Sequence, residues 1–164
     1  MRQMSTIREG TTDDIDPAMA VFLVSHARGR GGIPVSAEAL ARARSAFDHP
    51  TTFTVVVEHD GEIVGFGLAM QALDDDGAGP PIPGVCHISM IFVAPERWGE
   101  GIGRLLVDAM MDEARTRGYP RTQLWTGIDN TRALSLYEHA GFIRSGREKD
   151  IDDGARIAHL DRPL

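Results

Sequence analysis

The spacing of hydrophobic positions changes several times along the chain and predicts alternating strands and helices. Apolar residues three and four apart run through Ala18–Ala27, after a cap within Thr11–Asp14, and the pattern returns from an N-cap at Ser36 to about Phe47. Runs of β-branched and alternating residues predict strands. These strands are Ser5–Arg8, Thr52–Glu58, Glu62–Met70, Val85–Val93, Gln123–Thr126, Phe142–Ile151 and Ala155–Leu160. The remaining predicted helices are Gly101–Arg117 and Thr131–Ala140.

Turn-forming residues separate these elements. Arg28–Pro34 is predicted to be a flexible break, His59-Asp60-Gly61 a hairpin turn, and Asp74–Gly84 a loop. A closing hairpin is expected around Asp152-Asp153-Gly154. Because no repeat or linker divides the chain, we expect residues 1–164 to form one domain.

A glycine-rich turn follows the strand that ends at Val93. Gly99, Gly101 and Gly103 alternate with larger residues and lead into an amphipathic helix. The unpaired N–H groups and the positive dipole end at such a helix start bind phosphate without a lysine or a metal ion. The spacing differs from the P-loop and dinucleotide-binding patterns. A plain strand-to-helix turn with packing glycines is the alternative.

A second segment downstream has a polar helix face. Asn130, Ala133 and Tyr137 are spaced by three and four, so they share one side of the helix. Asn130 is suited to be the N-cap, and Gly141 to end the helix. An ordinary core-packing stripe would be apolar throughout, so this face indicates a function.

Together these segments resemble the GNAT superfamily of N-acetyltransferases, over about residues 85–145. The first is similar to the acetyl-CoA pyrophosphate motif of that family, and the second to its Asn-x-x-Ala-x-x-x-Tyr-x-x-x-Gly-Phe element. The resemblance implies an α/β (α+β) GNAT fold, with a mixed, mostly antiparallel central sheet of about six or seven strands and about four flanking helices. In that fold the central strands splay apart, and the cofactor arm enters the gap.

The resemblance also implies acetyl-CoA as the cofactor. Main-chain groups of the glycine-rich turn would hold the pyrophosphate, and those at the end of the preceding strand would pair with the pantetheine arm. The implied cofactor-binding residues are Ile91, Phe92, Val93, Gly99, Glu100, Gly101, Ile102, Gly103, Arg104, Asn130, Ala133 and Tyr137.

Two residues depart from the family pattern. Trp98 stands where glutamine or arginine is commonest, and Glu100 stands where lysine or arginine is frequent. We expect Arg97 and Arg104 to offset the charge of Glu100, with somewhat weaker cofactor affinity as the result.

The expected general acid is Tyr137, which would hand its proton to the departing thiolate. His87 lies upstream of Trp98 at the offset where histone-type members carry a catalytic glutamate, so it is the expected general base, directly or through water. Packing roles are the alternatives for both side chains. Trp125 replaces a glutamate of the ribosomal-protein alanine acetyltransferases, and either lines the acceptor cleft or packs in the core. Cys86 cannot form a nucleophilic pair with His87, because adjacent strand residues face opposite sides.

Composition narrows the possible partners. The 164 residues carry a formal net charge of −7, which argues against a nucleic-acid or anionic-membrane surface and favours a cationic acceptor. Asp74, Asp75 and Asp76 would attract such an acceptor, unless they form only a solvated loop. One cysteine, no membrane-length apolar run and no signal-peptide core predict a cytoplasmic protein. The scattered histidines predict no metal site.

These observations predict an acetyl-CoA-dependent N-acetyltransferase that acts directly on a primary amine of a small molecule or a peptide. The alternative is a non-catalytic acyl-CoA-binding or sensing domain of the same fold. The presence of both Tyr137 and Asn130 favours the enzyme, since cofactor binding alone needs no acid. Family members are often dimers, and a homodimer is compatible with this reading.

Overall fold

The computed structural model describes residues 5–29, 31–151 and 154–164. Its strands, in chain order, are β1 Thr6–Glu9, β2 Phe53–His59, β3 Glu62–Leu73, β4 Pro81–Val93, β5 Arg121–Gly127, β6 Ile143–Asp150 and β7 Arg156–Pro163. The α-helices of the described residues are α1 Ile15–Gly29, α2 Ala37–Ala46, α3 Ile102–Thr116 and α4 Thr131–His139. The predicted order of strands and helices is confirmed.

One seven-stranded sheet connects all of these strands, in the order β1-β2-β3-β4-β5-β7-β6. Every neighbouring pair is antiparallel except β4 with β5, which run parallel. The predicted fold class, a mixed and mostly antiparallel sheet with flanking helices, is therefore confirmed.

The parallel pair β4–β5 comes apart halfway along its length. Pairing runs from Val85 opposite Arg121 to Ile88 opposite Leu124 and stops there. Both strands continue beyond this point, β4 to Val93 and β5 to Gly127. The last residues of the two strands therefore flank an open gap in the middle of the sheet, and unpaired main-chain groups face it.

The helices cover the sheet unequally. On one face, α3 and α4 bury a core that includes Leu106 and Met110 and continues under β5 and β7 to Leu124 and Leu160. On the other face, α1 and α2 bury a core around Phe66, which contains no residue of β5, β6 or β7. The α1–α2 face of the three C-terminal strands is thus left uncovered by that core.

Local signals behave as the sequence predicts. The Ser36 hydroxyl accepts a hydrogen bond from Ala39 N at 3.1 Å and caps α2. Asp60 and Gly61 take positive φ in the tight β2–β3 turn. Gly141 has a φ of 95° directly after α4, the left-handed conformation that ends a helix.

The predicted loop Asp74–Gly84 is too long at its C-terminal end, because β4 begins at Pro81 and not at Val85. Prolines usually disfavour strands, but this stretch pairs only with β3, since the pairing with β5 starts at Val85. The Gln71 side-chain amide donates to the carbonyls of Ile82 and Val85 and fixes the stretch to β3. Of the predicted Asp152-Asp153-Gly154 hairpin turn, residues 152 and 153 lie outside the described residues.

Within the described residues, none of the helices combines the length and the hydropathy needed to cross a membrane.

Candidate active site

The glycine-rich turn lies at the open end of the β4–β5 gap, between β4 and α3. Gly99 and Gly101 have φ of 87° and 84°, and an added Cβ would meet no atom within 4 Å at either position. Their requirement for glycine is therefore conformational, and the space above them is open. At Gly103, an added Cβ would lie 3.2 Å from Leu136 of α4, so this glycine permits close packing of two helices. The packing interpretation therefore holds for Gly103, and the phosphate-turn interpretation stays a prediction for Gly99 and Gly101.

The start of α3 presents free hydrogen-bond donors to this open space. Gly101 is the N-cap and offers no side chain. Among the described residues, no acceptor is found for the main-chain N–H groups of five turn residues. They are Gly99, Gly101, Ile102, Gly103 and Arg104. Free donors at the positive end of a 15-residue helix are suited to bind an anion.

Two of the charged side chains near the turn are already engaged. Glu100 forms an ion pair with Arg97 at 3.5 Å, which offsets its negative charge as expected. Arg104 instead donates to Asp108 at 3.0 Å and to the His139 carbonyl at 3.2 Å. The expectation that Arg104 offsets Glu100 is therefore wrong for its side chain, because the guanidinium points along α3 toward the end of α4.

The edge of β4 offers main-chain groups to the gap at alternate residues. Ala94 N donates to Val64 O, so Phe92 is the residue whose main chain pairs with β3, opposite Phe66. Ile91 and Val93 consequently direct their main-chain groups toward the gap. The Val93 carbonyl accepts from the Trp98 indole at 2.8 Å and from the Ser25 hydroxyl at 2.6 Å. Phe92 itself packs edge-on against Phe22 on the α1 side.

On the other side of the gap, α4 places Asn130 and Tyr137. The Asn130 side-chain oxygen accepts from Ala133 N at 3.1 Å, so Asn130 caps the helix and keeps its amide donors available. Tyr137 is 8% exposed and belongs to the buried cluster that contains Ile88 and Leu124, the last paired residues of the two strands.

The Tyr137 hydroxyl is the chemically important atom of this helix. It makes no hydrogen bond to the described residues, yet it is not among buried polar atoms without a partner, so it reaches open space. Burial raises the pKa of the phenol to about 12, which keeps it protonated at neutral pH.

A chain of polar side chains crosses the sheet beside the gap, on the face opposite α3 and α4 and beyond the α1–α2 core. Ser145 donates to His159 Nδ1 at 2.8 Å, and His159 Nε2 donates to Gln123 Oε1 at 2.9 Å. Gln123 Nε2 in turn donates to His87 Nδ1 at 3.4 Å. These donor and acceptor roles are mutually consistent when both imidazoles are neutral.

The lowered pKa of His87 favours a neutral ring at neutral pH. Burial, followed by the charges of Lys149 and His159, lowers the pKa of His87 from 6.5 to about 4. Cys86, the next residue back, lies on the opposite face, where burial raises the pKa of its thiol to about 12. This thiol is therefore inert at neutral pH and separated from His87.

Comparison with known proteins identifies the chain. The Acetyltransferase (GNAT) family matches residues 22–142. This chain belongs to the GNAT acetyltransferase family. A mycothiol acetyltransferase from Beutenbergia cavernae is 32% identical in an alignment of 113 positions that covers 61% of this chain and 38% of that protein. A second, from an Arthrobacter species, is 31% identical over 73% of this chain and 36% of its own length. The chain thus spans little more than a third of these curated relatives.

Solved GNAT structures share the whole fold at lower identity. The ribosomal-protein-S18-alanine N-acetyltransferase from Escherichia coli superposes with a TM-score of 0.77 and 21% identity, over 98% of this chain and 94% of that one. A putative acetyltransferase from Salmonella typhimurium, solved with its cofactor acetyl-CoA, has a TM-score of 0.75 and 19% identity, with the same shares covered. At these identities the likeness shows the fold alone.

The GNAT site contains residues that the sequence did not reveal. Arg132 of α4 lies over the Trp98 ring, 4.3 Å from its centroid, and brings a cation to the turn where the family usually has glutamine or arginine. Gln123 and His159 join His87 in the polar chain. The sequence contains Trp98 in the turn and Arg132 two positions after Asn130, but their spacing did not predict that the two side chains are in contact.

The acidic loop lies at the other end of the strands. Its hairpin closes where Leu73 pairs with Pro81, beyond the narrow end of the β4–β5 pairing. From Pro81 to Ile88 is roughly 20 Å of extended strand. Asp74 and Asp75 are therefore remote from the open end of the gap, and the expected attraction of a cationic acceptor has no structural support there.

Proposed function

We propose that residues 1–164 work as a single N-acetyltransferase domain that transfers an acetyl group from acetyl-CoA directly to a primary amine. The observation that supports this most strongly is a set of free N–H donors at the mouth of a strand gap, with Tyr137 in the cluster that contains the last paired residues of the two strands. A cytoplasmic location is part of the proposal, because the free thiol of Cys86 suits a reducing compartment.

Acetyl-CoA suits the residues that are present. The N–H groups of Gly99 and of Gly101 to Arg104 would hold its pyrophosphate, and Arg132 would add a positive charge. The free groups of Ile91 and the Val93 N–H would pair with the amides of the arm, as an added strand does. When bound, acetyl-CoA supplies an activated acetyl thioester.

Tyr137 would act as the general acid. Its raised pKa keeps the proton on the hydroxyl at neutral pH, and the same apolar surroundings would raise the pKa of the departing thiol, so that its thiolate would be basic enough to accept this proton. Asn130 and Ala133 stand on the same helix, and the Asn130 amide donors would hold the arm beside Tyr137.

His87 would take up the proton that the amine releases at Nδ1, its unprotonated nitrogen, once the 3.4 Å hydrogen bond from Gln123 has broken. The His87 side chain lies on the face of the sheet opposite to the core that contains Cys86 and Ile88. The acid and the base would therefore approach the gap from different sides. This arrangement suits direct transfer, with the amine entering on the α1–α2 side. Because the pKa of His87 is about 4, it is a weak base. It would therefore accept the proton only after the new C–N bond has formed and made the nitrogen proton acidic.

The acceptor class is a proposal in its own right. The relatives include proteins named for mycothiol and for a ribosomal-protein alanine, which shows that this family serves both small molecules and peptides. We therefore propose a small-molecule or peptide amine, and no nucleic acid or membrane as partner. A homodimer stays a prediction.

The test is CoA release from acetyl-CoA across polyamines, amino acids, aminoglycosides and short peptides. We expect release with one class of amine, identified by mass as its N-acetyl product. Tight acetyl-CoA binding without any transfer in the full panel would contradict the enzyme and favour the sensing domain.

A further inference from the structure

A bulge in the edge strand β6 reshapes the uncovered face of the sheet. Arg144 pairs with Leu160 and Glu148 with Ala158, so Ser145, Gly146 and Arg147 together face His159 alone. Gly146 takes a φ of 92°, which favours glycine. The Ser145 hydroxyl accepts from Arg147 N at 3.2 Å and donates to His159, which fixes the bulge to the sheet. Bulges of this kind redirect side chains, often beside active sites.

The redirected side chain lies over Trp125. The Arg147 guanidinium carbon is 5.3 Å from the centroid of the indole, and Lys149 Nζ is 4.3 Å from it. His159 closes another side, with ring centroids 5.0 Å apart. Trp125 is the first residue of β5 beyond the last pair with β4, so this cationic platform, formed by Trp125, Arg147 and Lys149, borders the gap.

The hydrogen-bond donors of Arg147 are available for a ligand. A contact with an aromatic face uses the charge of a guanidinium and leaves its N–H groups for an anion. Within residues 5–29, 31–151 and 154–164, no carboxylate forms an ion pair with Arg147, and its guanidinium donates no hydrogen bond.

Three acidic side chains of β6 and β7 are engaged with other arginines. Asp161 forms an ion pair with Arg121 at 3.3 Å. Glu148 and Asp150 both accept from Arg156, at 2.8 and 2.9 Å. None of these three carboxylates is paired with Arg147, although the chain as a whole has a net charge of −7.

We propose that this platform binds a carboxylate of the acceptor, so that the enzyme acetylates amines that carry an acid group, such as α-amino acids or peptides with a free carboxyl end. The inference rests on the proposed function and names the substrate class of the same site. Arg147 would bind the carboxylate through two parallel N–H···O bonds, and the rim of Trp125 would hold the rest of the acceptor against the sheet. Arg147 is a specificity residue in this account and takes no part in proton transfer.

The test separates binding from catalysis. Calorimetry with the CoA-loaded protein would compare N-acetyl amino acids with their carboxamides, which differ only in the negative charge. We expect at least one N-acetyl amino acid to bind about tenfold or more tightly than its amide, and higher salt to weaken only the acid. In wild-type transfer assays, the free amino acid should exceed its amide by a similar factor in kcat/KM.

Matched variants locate the effect. Arg147→Gln should reduce the acid-over-amide ratio to near one, and Arg147→Lys should retain part of it. Arg144→Gln removes the same charge from the same strand, but from a side chain that pairs with Glu138, and should leave the ratio unchanged. Equal binding of acids and amides, binding of neither, or the same loss in both Gln variants would overturn the proposal. Acid-selective binding without any transfer would instead contradict the proposed enzyme, so the two failures are distinguishable.

Discussion

The two sides of the β4–β5 gap are built by different means. On the proposed cofactor side, a single run from Ile91 to Arg104 supplies main-chain groups, with glycines that hold the backbone open. On the proposed acceptor side, side chains come from four different strands, represented by His87, Trp125, Arg147 and His159. Main-chain recognition tolerates substitution of side chains, whereas recognition by side chains changes with each one.

This difference explains why the sequence alone indicated the family but did not identify the acceptor. In the proposed site, the cofactor would be held by one continuous stretch of main chain, whose residue pattern can be recognised in the sequence. An acceptor that differs among members is met by residues whose spatial proximity arises only after the sheet has formed.

Removing the Tyr137 hydroxyl should affect chemistry and leave both binding steps intact. For Tyr137→Phe we expect kcat to fall about a hundredfold, with acetyl-CoA affinity unchanged. Tyr119→Phe removes the same group from the only other tyrosine and should behave as wild type. Unchanged kcat in Tyr137→Phe would assign the proton to another donor.

The acceptor side should make stability depend on pH through its buried imidazoles. The unfolded chain binds a proton at His87 near pH 6.5, whereas the folded protein does so only near pH 4. Between these values the unfolded state holds more protons, so the free energy of unfolding falls as the pH is lowered, by up to about 3 kcal/mol. Denaturant titrations from pH 7 to 4 should show a shallower decrease in His87→Gln. Parallel curves would contradict a neutral buried His87.

On the cofactor side, a side chain at Gly101 should weaken acetyl-CoA binding. Gly101→Val forces a β-branched residue into the left-handed conformation and alters the direction of the free N–H groups, so we expect Kd to rise tenfold or more. Gly118→Val imposes the same strain just beyond α3, where φ is 88°. It should lower stability and leave Kd unchanged.

Arg132 should have the smallest effect, because it adds charge to a site that main-chain donors already define. Arg132→Gln is expected to raise the acetyl-CoA Kd about threefold at low salt, with the difference shrinking as salt increases. Arg115→Gln, at the far end of α3 and paired with Asp112, is the control. A hundredfold loss would mean that side-chain charge dominates the site.

Most of the fold was predictable because its signals are local. Ser36 and Asn130 cap helices as their types suggest, and Gly61 turns the hairpin. The start of β4 at Pro81 was missed because it depends on the Gln71 side chain and on the lack of a second neighbour strand. Neither condition can be read from residues 81–84 alone.

The candidate site divides in the same way. The turn residues and Tyr137 lie where the pattern predicts, while Arg104 turns its side chain away to His139. Gly146 in a strand was a visible sign of a bulge, but the side chain that the bulge redirects, and the ring it meets, follow from pairing with β7. The prediction of a cationic acceptor, which was based on the net charge, has no support in the structure. Net charge does not show where in the fold the individual charged side chains lie.

A calorimetric titration of acetyl-CoA into wild type, Gly101→Val and Trp125→Ala would test the division between the two sides. The account predicts one site per chain in the wild type, at least tenfold weaker binding in Gly101→Val, and unchanged binding in Trp125→Ala. Equal losses in both variants, or none in Gly101→Val, would contradict the claim that the main chain of the turn holds the cofactor while the side chains of the distant strands select the acceptor.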